Sequence, residues 1–189
     1  MQRWGVDDAS ALILDDVHFL TSTIYEYLSS GPGEGDYQAW FFRANRIQRH
    51  INSLPQVSIL NKETTLEAII YECCRLTAII YCKAVLTYTP FSVACRPEDL
   101  DKIYLGMELV PCTYWKEICG TWLWMLCVVN PAARYRYEGL RLRMFLKNCT
   151  SAMGLIDWQV LINTMESFLS VQKWIRQQGI YQEPVFKAM

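Results

Sequence analysis

Apolar side chains recur every three or four residues along almost the whole chain, and this spacing is the strongest constraint on its fold. Such a spacing gives a helix one apolar stripe, whereas a half-buried strand shows strict alternation of apolar and polar residues. The sequence contains no convincing alternation of that kind and no internal repeat. It therefore predicts an all-α fold.

Glycine, proline and helix-capping residues divide this pattern into about seven helices. Asp7 or Asp8 caps the first helix, Pro97 occupies the first turn of a short one, and Asp157 caps the last. Because the linkers are short, we expect one compact helical domain over residues 1–189, with internal loops at 31–35 and 89–95. The expected helices lie near residues 8–30, 36–54, 61–88, 97 onwards, 113–129, 131–153 and 158–179. The helix over 61–88 is apolar on most sides, which predicts a place in the middle of the bundle.

Charge and hydropathy exclude two classes of partner. The chain has 18 Lys and Arg against 19 Asp and Glu, a net charge of -1, whereas a nucleic-acid binder should carry a basic excess. The longest apolar run, residues 118–129, is shorter than the ~20 residues that span a bilayer. The N-terminal residues have neither a secretory nor a transit pattern. We therefore expect a cytoplasmic protein with no nucleic-acid partner and no membrane span.

Cysteine spacing predicts buried, reduced thiols rather than a metal site. The chain has 8 Cys and 2 His, but no Cys-x-x-Cys pair. It also lacks glycine-rich nucleotide loops, and Asp15 and Asp16 lack the third acid of a magnesium-binding DDxxD motif. We expect no metal and no cofactor.

One histidine has two readings. His18 lies among Val17, Phe19 and Leu20, where most histidines are hydrogen-bonded structural residues. It is also the histidine nearest the expected core, and is therefore the first candidate for a general acid or base or a hydrogen-bond donor.

A second polar group lies on the helix over 61–88. Glu72 and Arg75 have the spacing of an intrahelical ion pair, and so apolar a helix should bury them at least partly. The pair either fixes helix packing or forms a polar anchor inside an apolar pocket. Tyr71 and Tyr81 each add one O–H donor. With His18, we take Arg75, Tyr71 and Tyr81 as candidate catalytic residues, and Glu72 as a candidate substrate-binding residue.

Aromatic residues make up 13% of the chain. Core packing is the default role of each, yet this content also suits a cavity for a flat apolar ligand. We take Trp115, Trp122 and Trp124 as the candidate substrate-binding tryptophans.

Several stretches together resemble one family. They are Trp-Gly-Val-Asp-Asp at 4–8, Leu-Asp-Asp at 14–16, Phe-Leu-Thr-Ser at 19–22, Glu-Cys-Cys-Arg-Leu at 72–76, Ile-Ile-Tyr at 79–81, Trp-Leu-Trp at 122–124 and Asn-Pro-Ala-Ala-Arg at 130–134. The pattern resembles the regulatory domain of fungal zinc-cluster transcription factors, over about residues 4–174. The resemblance implies an all-helical fold. The six-cysteine DNA-binding module of that family is not found here, so we expect no DNA reading of that kind.

Two functions follow from these expectations. The first is a cofactor-free cyclase, such as an intramolecular Diels–Alderase, acting on a hydrophobic polyene or terpenoid in fungal natural-product biosynthesis. Such a reaction needs mainly a shaped cavity and a donor, because holding the reacting ends together lowers the barrier. The second is a non-catalytic regulatory domain that binds an effector or another protein, and would then be nuclear. The expected partner is a hydrophobic small molecule, substrate or effector, and a homodimer is the assembly considered.

Overall fold

The computed structural model describes residues 7–30, 34–61, 63–133 and 158–179. The described residues form an all-α fold of eight helices without a strand, which confirms the predicted fold class. The helices are α1 (Asp8–Ser30), α2 (Glu34–Ser53), α3 (Leu66–Thr87), α4 (Phe91–Ala94), α5 (Pro97–Leu109), α6 (Cys112–Glu117), α7 (Cys119–Ala133) and α8 (Trp158–Gln178).

Helix α3 lies at the centre of the fold. It contacts α1, α2, α4, α5, α7 and α8, and most of its side chains are buried. Thr65 begins it, because the Thr65 side chain accepts a hydrogen bond from the Ala68 amide at 3.3 Å. Tyr88 ends it in a left-handed conformation with φ 50°, and its amide donates to the Ala84 carbonyl. The central position agrees with the prediction from apolar residues on most sides of this helix.

Helix α1 packs along α3 through one apolar stripe. Asp7 caps it as predicted, since Asp7 Oδ1 accepts from the Ser10 amide at 2.8 Å. The buried stripe consists of Ile13, Val17, Leu20 and Ile24. Its spacing of four and three residues leaves a neighbouring face of α1 that does not enter the core.

Aromatic side chains join α8 to two other helices. The Trp174 ring lies 5.5 Å from that of Trp40 on α2 and 5.2 Å from that of Tyr88, both edge to face. These arrangements match the preferred geometry of aromatic pairs. They hold the C-terminal end of α8 beside α2 and the end of α3.

Two helices begin at residues other than those predicted, and one predicted loop contains a short helix. Helix α3 begins at Leu66 rather than near Asn61, because Asn61 Oδ1 instead accepts from the Glu63 amide at 3.2 Å in a local turn. Helix α2 begins at Glu34, inside the expected 31–35 loop. The 89–95 loop contains α4, whose last turn closes with a bond from the Cys95 amide to the Phe91 carbonyl.

The expected helix over 113–129 is two helices. Ile118 has φ -120° and ψ 39°, outside the helical region, and separates α6 from α7. Ile118 is β-branched, and such residues lose side-chain freedom in a helix. Its carbonyl accepts from the Trp122 amide and thereby forms the first hydrogen bond of α7. Pro131 does not begin a new helix. It lies inside α7, which loses one amide donor there and continues to Ala133. The expected segment 134–153 and the Asp157 cap lie outside the described residues.

Among the described residues, none of the helices has the length and apolar character needed to cross a membrane.

Candidate functional site: a cleft beside helix α1

A cleft of about 540 Å³ lies between α1 and the aromatic surface of three other helices. The α1 wall is the face next to its core stripe, and its residues recur every three or four positions: Leu14, Val17, His18, Thr21, Ser22, Tyr25 and Glu26. The opposite wall comes from α3, α7 and α8, and its described residues are Tyr81, Trp124, Cys127, Ser167 and Phe168. The size and largely apolar lining are typical of small-molecule sites.

Aromatic rings form the deep wall of the cleft. The Tyr81 ring lies 6.3 Å from that of Trp124 and 5.7 Å from that of Phe91. Phe91 in turn stacks on Phe168 at 5.0 Å. Rings at these distances pack against one another, so contacts with neighbouring rings support this wall.

One hydroxyl pair joins the two walls. Thr21 Oγ1 on α1 lies 2.7 Å from the Tyr81 hydroxyl on α3. Tyr81 is 1% exposed, and burial raises its pKa well above the ordinary value, with the Thr21 contact as a smaller opposing effect. Tyr81 therefore stays a neutral phenol at physiological pH. It can position Thr21, but it is too weak an acid to give up its proton in a reaction.

The rim of the cleft carries polar side chains. His18 and Glu26 are exposed, and Ser22 and Ser167 are half-buried. His18, Ser22 and Glu26 are four residues apart on α1, so they follow one line along the helix. Within the described ranges, no hydrogen bond joins His18 or Ser22 to another side chain. These groups are available to the polar part of a ligand.

The indole N–H of Trp124 is a further polar group in this wall. It is buried and has no acceptor among the described residues. Buried donors are normally paired, so a donor left over beside a cleft is notable.

The predicted site residues fall into two groups. The structure brings His18, Tyr81 and Trp124 together in the cleft. It places Tyr71, Glu72, Arg75, Trp115 and Trp122 outside the described lining.

Glu72 and Arg75 form a buried network under the connection between α2 and α3. The two side chains are 3% and 2% exposed, and Arg75 donates from Nε at 2.8 Å and from a terminal nitrogen at 2.7 Å. Glu72 also accepts from the Val57 amide at 3.1 Å, and the Tyr71 hydroxyl donates to the Pro55 carbonyl at 3.0 Å. The bond to Glu72 raises the pKa of Arg75, which stays charged. This geometry favours the structural interpretation of the pair.

Trp115 and Trp122 are core residues. Trp115 is fully buried, and its indole donates to the Met107 carbonyl at 3.1 Å. Trp122 is 2% exposed and packs in the same core.

Most of the described cysteines are buried, as the sequence predicts. Cys73, Cys74, Cys82 and Cys95 are buried, but Cys119 is exposed at the start of α7. Cys127 lines the cleft, and burial raises the pKa of its thiol to about 11. Across the described part of the chain, no three metal-ligating side chains lie close enough together to hold an ion.

Sequence reasoning missed Thr21, Ser22 and Phe168. A second stripe on α1 was visible in the spacing of Leu14, Val17 and Thr21, and would have identified one wall. Nothing in the sequence showed which helices face that stripe.

No family model, curated protein or solved structure matches the chain.

Proposed function

We propose that this chain binds an apolar small molecule in the cleft and accelerates its cyclisation without a cofactor, as expected of a pericyclase acting on a polyene or terpenoid. The observation that carries the proposal is the cleft itself, about 540 Å³ in volume, with an aromatic wall and a small polar set formed mainly by the rim, the Thr21–Tyr81 pair and the Trp124 N–H. Folding a flexible apolar chain against a rigid wall brings its reacting ends together.

In this proposal the residues have different roles. Trp124 and Phe168 shape the cavity, and His18 offers a hydrogen bond to the polar end of the substrate at the rim. Tyr81 is a positioning residue, because its hydroxyl contacts Thr21 and its raised pKa keeps it neutral. Arg75, Tyr71 and Glu72 support the fold around α3 and do not enter the reaction.

The binding step is tested by filling the cleft. Ser22→Trp adds a large ring to the α1 wall, whereas Ser29→Trp adds the same ring to an exposed site on the same helix, away from the lining. We expect the neutral dye N-phenylnaphthylamine to bind saturably to the wild type and to Ser29→Trp, but not to Ser22→Trp. Equal dye binding by all three proteins would show that the dye binds outside the cleft and would refute the proposal.

The catalytic step needs a separate assay. Linear trienes with a tethered dienophile are incubated with wild type, with Ser22→Trp and in buffer, and the cyclised product is followed by chromatography. The cyclase proposal requires faster product formation with the wild type than with either control. Equal rates in all three would refute it.

Effector binding without chemistry is the second candidate function. It is favoured by the Thr21–Tyr81 pair, because both of its hydroxyl protons are donated inside the protein and neither is left to activate a substrate. The resemblance to a transcription-factor regulatory domain supports the same candidate. Saturable dye binding together with equal cyclisation rates would favour it over the enzyme.

A further inference from the structure

Both hydroxyl protons of the Thr21–Tyr81 pair are used inside the protein. Thr21 Oγ1 lies 2.9 Å from the Val17 carbonyl, which can only accept, so the single Thr21 proton is donated there. Thr21 Oγ1 also lies 2.7 Å from the Tyr81 hydroxyl. Since Thr21 has no second proton, Tyr81 must be the donor and Thr21 the acceptor. The pair has no hydroxyl proton left for a ligand.

The Thr21 Oγ1 atom of this pair can still accept a hydrogen bond. A hydroxyl oxygen has two lone pairs, and the Tyr81 proton occupies one of them. Tyr81 is buried, while Thr21 is half-buried and lies in the α1 wall. The raised pKa of Tyr81 keeps the phenol protonated, so the direction of this hydrogen bond is fixed at physiological pH.

We propose, on the basis of the proposed function, that the cleft selects apolar ligands that bear a hydroxyl or another hydrogen-bond donor, which donates to Thr21 Oγ1. A ketone of the same skeleton has no proton to donate and would cover the Thr21 oxygen without pairing it. Leaving a polar group buried and unpaired is costly, and sites built around such a group discriminate against ligands that lack the matching one. The substrate class is therefore a hydroxylated polyene or terpenoid rather than its ketone.

The hydrogen-bond donors of the cleft do not mask this distinction. An alcohol oxygen and a ketone oxygen can both accept from the Trp124 indole or from a protonated nitrogen of His18. A comparison between an alcohol and its ketone therefore isolates the hydrogen bond that the ligand donates. The Thr21→Val variant then separates a bond to Thr21 from one to the rim acceptors Ser22, Ser167 and Glu26.

The test uses the bicyclic alcohol α-tetralol and its ketone α-tetralone, titrated by calorimetry into four proteins. The wild type should bind the alcohol about tenfold more tightly than the ketone, as one added hydrogen bond in a partly buried site provides. Thr21→Ser keeps the oxygen and should keep this preference. Tyr81→Phe leaves Thr21 as an acceptor and should keep it too. Thr21→Val removes the acceptor and should abolish the preference.

The outcomes separate the inference from the function on which it rests. If the wild type binds both probes equally, or if Thr21→Val keeps the preference, the inference is wrong while the apolar cleft stands. If neither probe binds the wild type, the proposed function fails and the inference with it. A denaturation curve checks the folding of each variant. Should Thr21→Val not fold, Thr21→Ala removes the same oxygen without adding volume and decides between the same outcomes.

Discussion

Helix α5 passes so close to α3 at Gly106 that an added methyl group has no space. A Cβ atom at this position would overlap the Cys73 sulfur and would lie 3.3 Å from Ile69 Cγ2 and 3.5 Å from Ile59 Cδ1. Cys73 is completely buried, and its thiol lies 3.8 Å from the Ile103 carbonyl. Gly106→Ala therefore tests how tightly the two helices are packed.

The expected magnitude has two opposing contributions. Overpacking a close-packed core costs about 1–3 kcal/mol. Replacing a glycine within a helix by alanine returns about 0.5–1 kcal/mol, because glycine loses more backbone freedom on folding. Because the overlap with the Cys73 sulfur is severe, the overpacking cost should be about 2–3 kcal/mol, and Gly106→Ala should lower the free energy of unfolding by about 1–2.5 kcal/mol.

A second substitution shows whether the sulfur is the cause. Cys73→Ala removes an atom about the size of a methylene group and should cost about 1 kcal/mol by itself. The same change also makes room for the new methyl group at position 106. The double variant should therefore be more stable than the sum of the two single losses predicts, by about 1–2 kcal/mol.

Guanidinium unfolding of the wild type, both single variants and the double variant gives the four midpoints, with slopes that should stay equal. Gly120→Ala is the matched control, since a Cβ there meets no other atom within 4 Å and α7 should be unchanged or slightly more stable. Strictly additive losses, or a Gly106→Ala variant as stable as the wild type, would refute the close approach.

Three further predictions concern the buried pair, the rim and the thiols. Arg75→Met leaves the Glu72 carboxylate buried without its partner and should cost about 3–5 kcal/mol in a denaturant titration, most of it recovered in a double variant that also carries Glu72→Leu. His18→Ala changes an exposed side chain and should shift the unfolding midpoint by less than about 0.5 kcal/mol, yet it should slow cyclisation in the triene assay. Burial raises the pKa of Cys74 and Cys82 to about 12, from an ordinary value of 9.0, so the unfolded chain loses these protons first. The free energy of unfolding should be unaffected by these thiols below about pH 9. Between about pH 9 and pH 12 each thiol should lower it by up to about 1.4 kcal/mol per pH unit. Thermal unfolding over this pH range should show a smaller slope for Cys82→Ala than for the wild type.

Local signals predicted the parts of the fold that depend on neighbours in the chain. The Asp7 cap, the Pro97 start of α5 and the apolar surface of α3 each follow from a few adjacent residues. The break at Ile118 was missed because its two sides carry one continuous apolar pattern.

The site was only partly predictable for the same reason. Residue type predicts His18, Tyr81 and Trp124 as site residues, and the structure brings them to one cleft. Thr21 and Tyr81 are 60 positions apart, and only the packing of α1 on α3 shows that their hydroxyls meet. The spacing of Glu72 and Arg75 predicts their ion pair on α3, but not that Glu72 also accepts from the Val57 amide in the α2–α3 connection, away from the cleft.

The walls of the cleft come from opposite ends of the described chain. Helix α1 leaves the ribosome long before α8, which supplies Ser167 and Phe168. Because synthesis proceeds at about 5–20 residues per second, α1 is made several seconds before α8, the helix that completes the cleft. A chain interrupted before α8 would display α1 without the wall that Ser167 and Phe168 form. The cleft is thus complete only in molecules whose translation has passed Phe168.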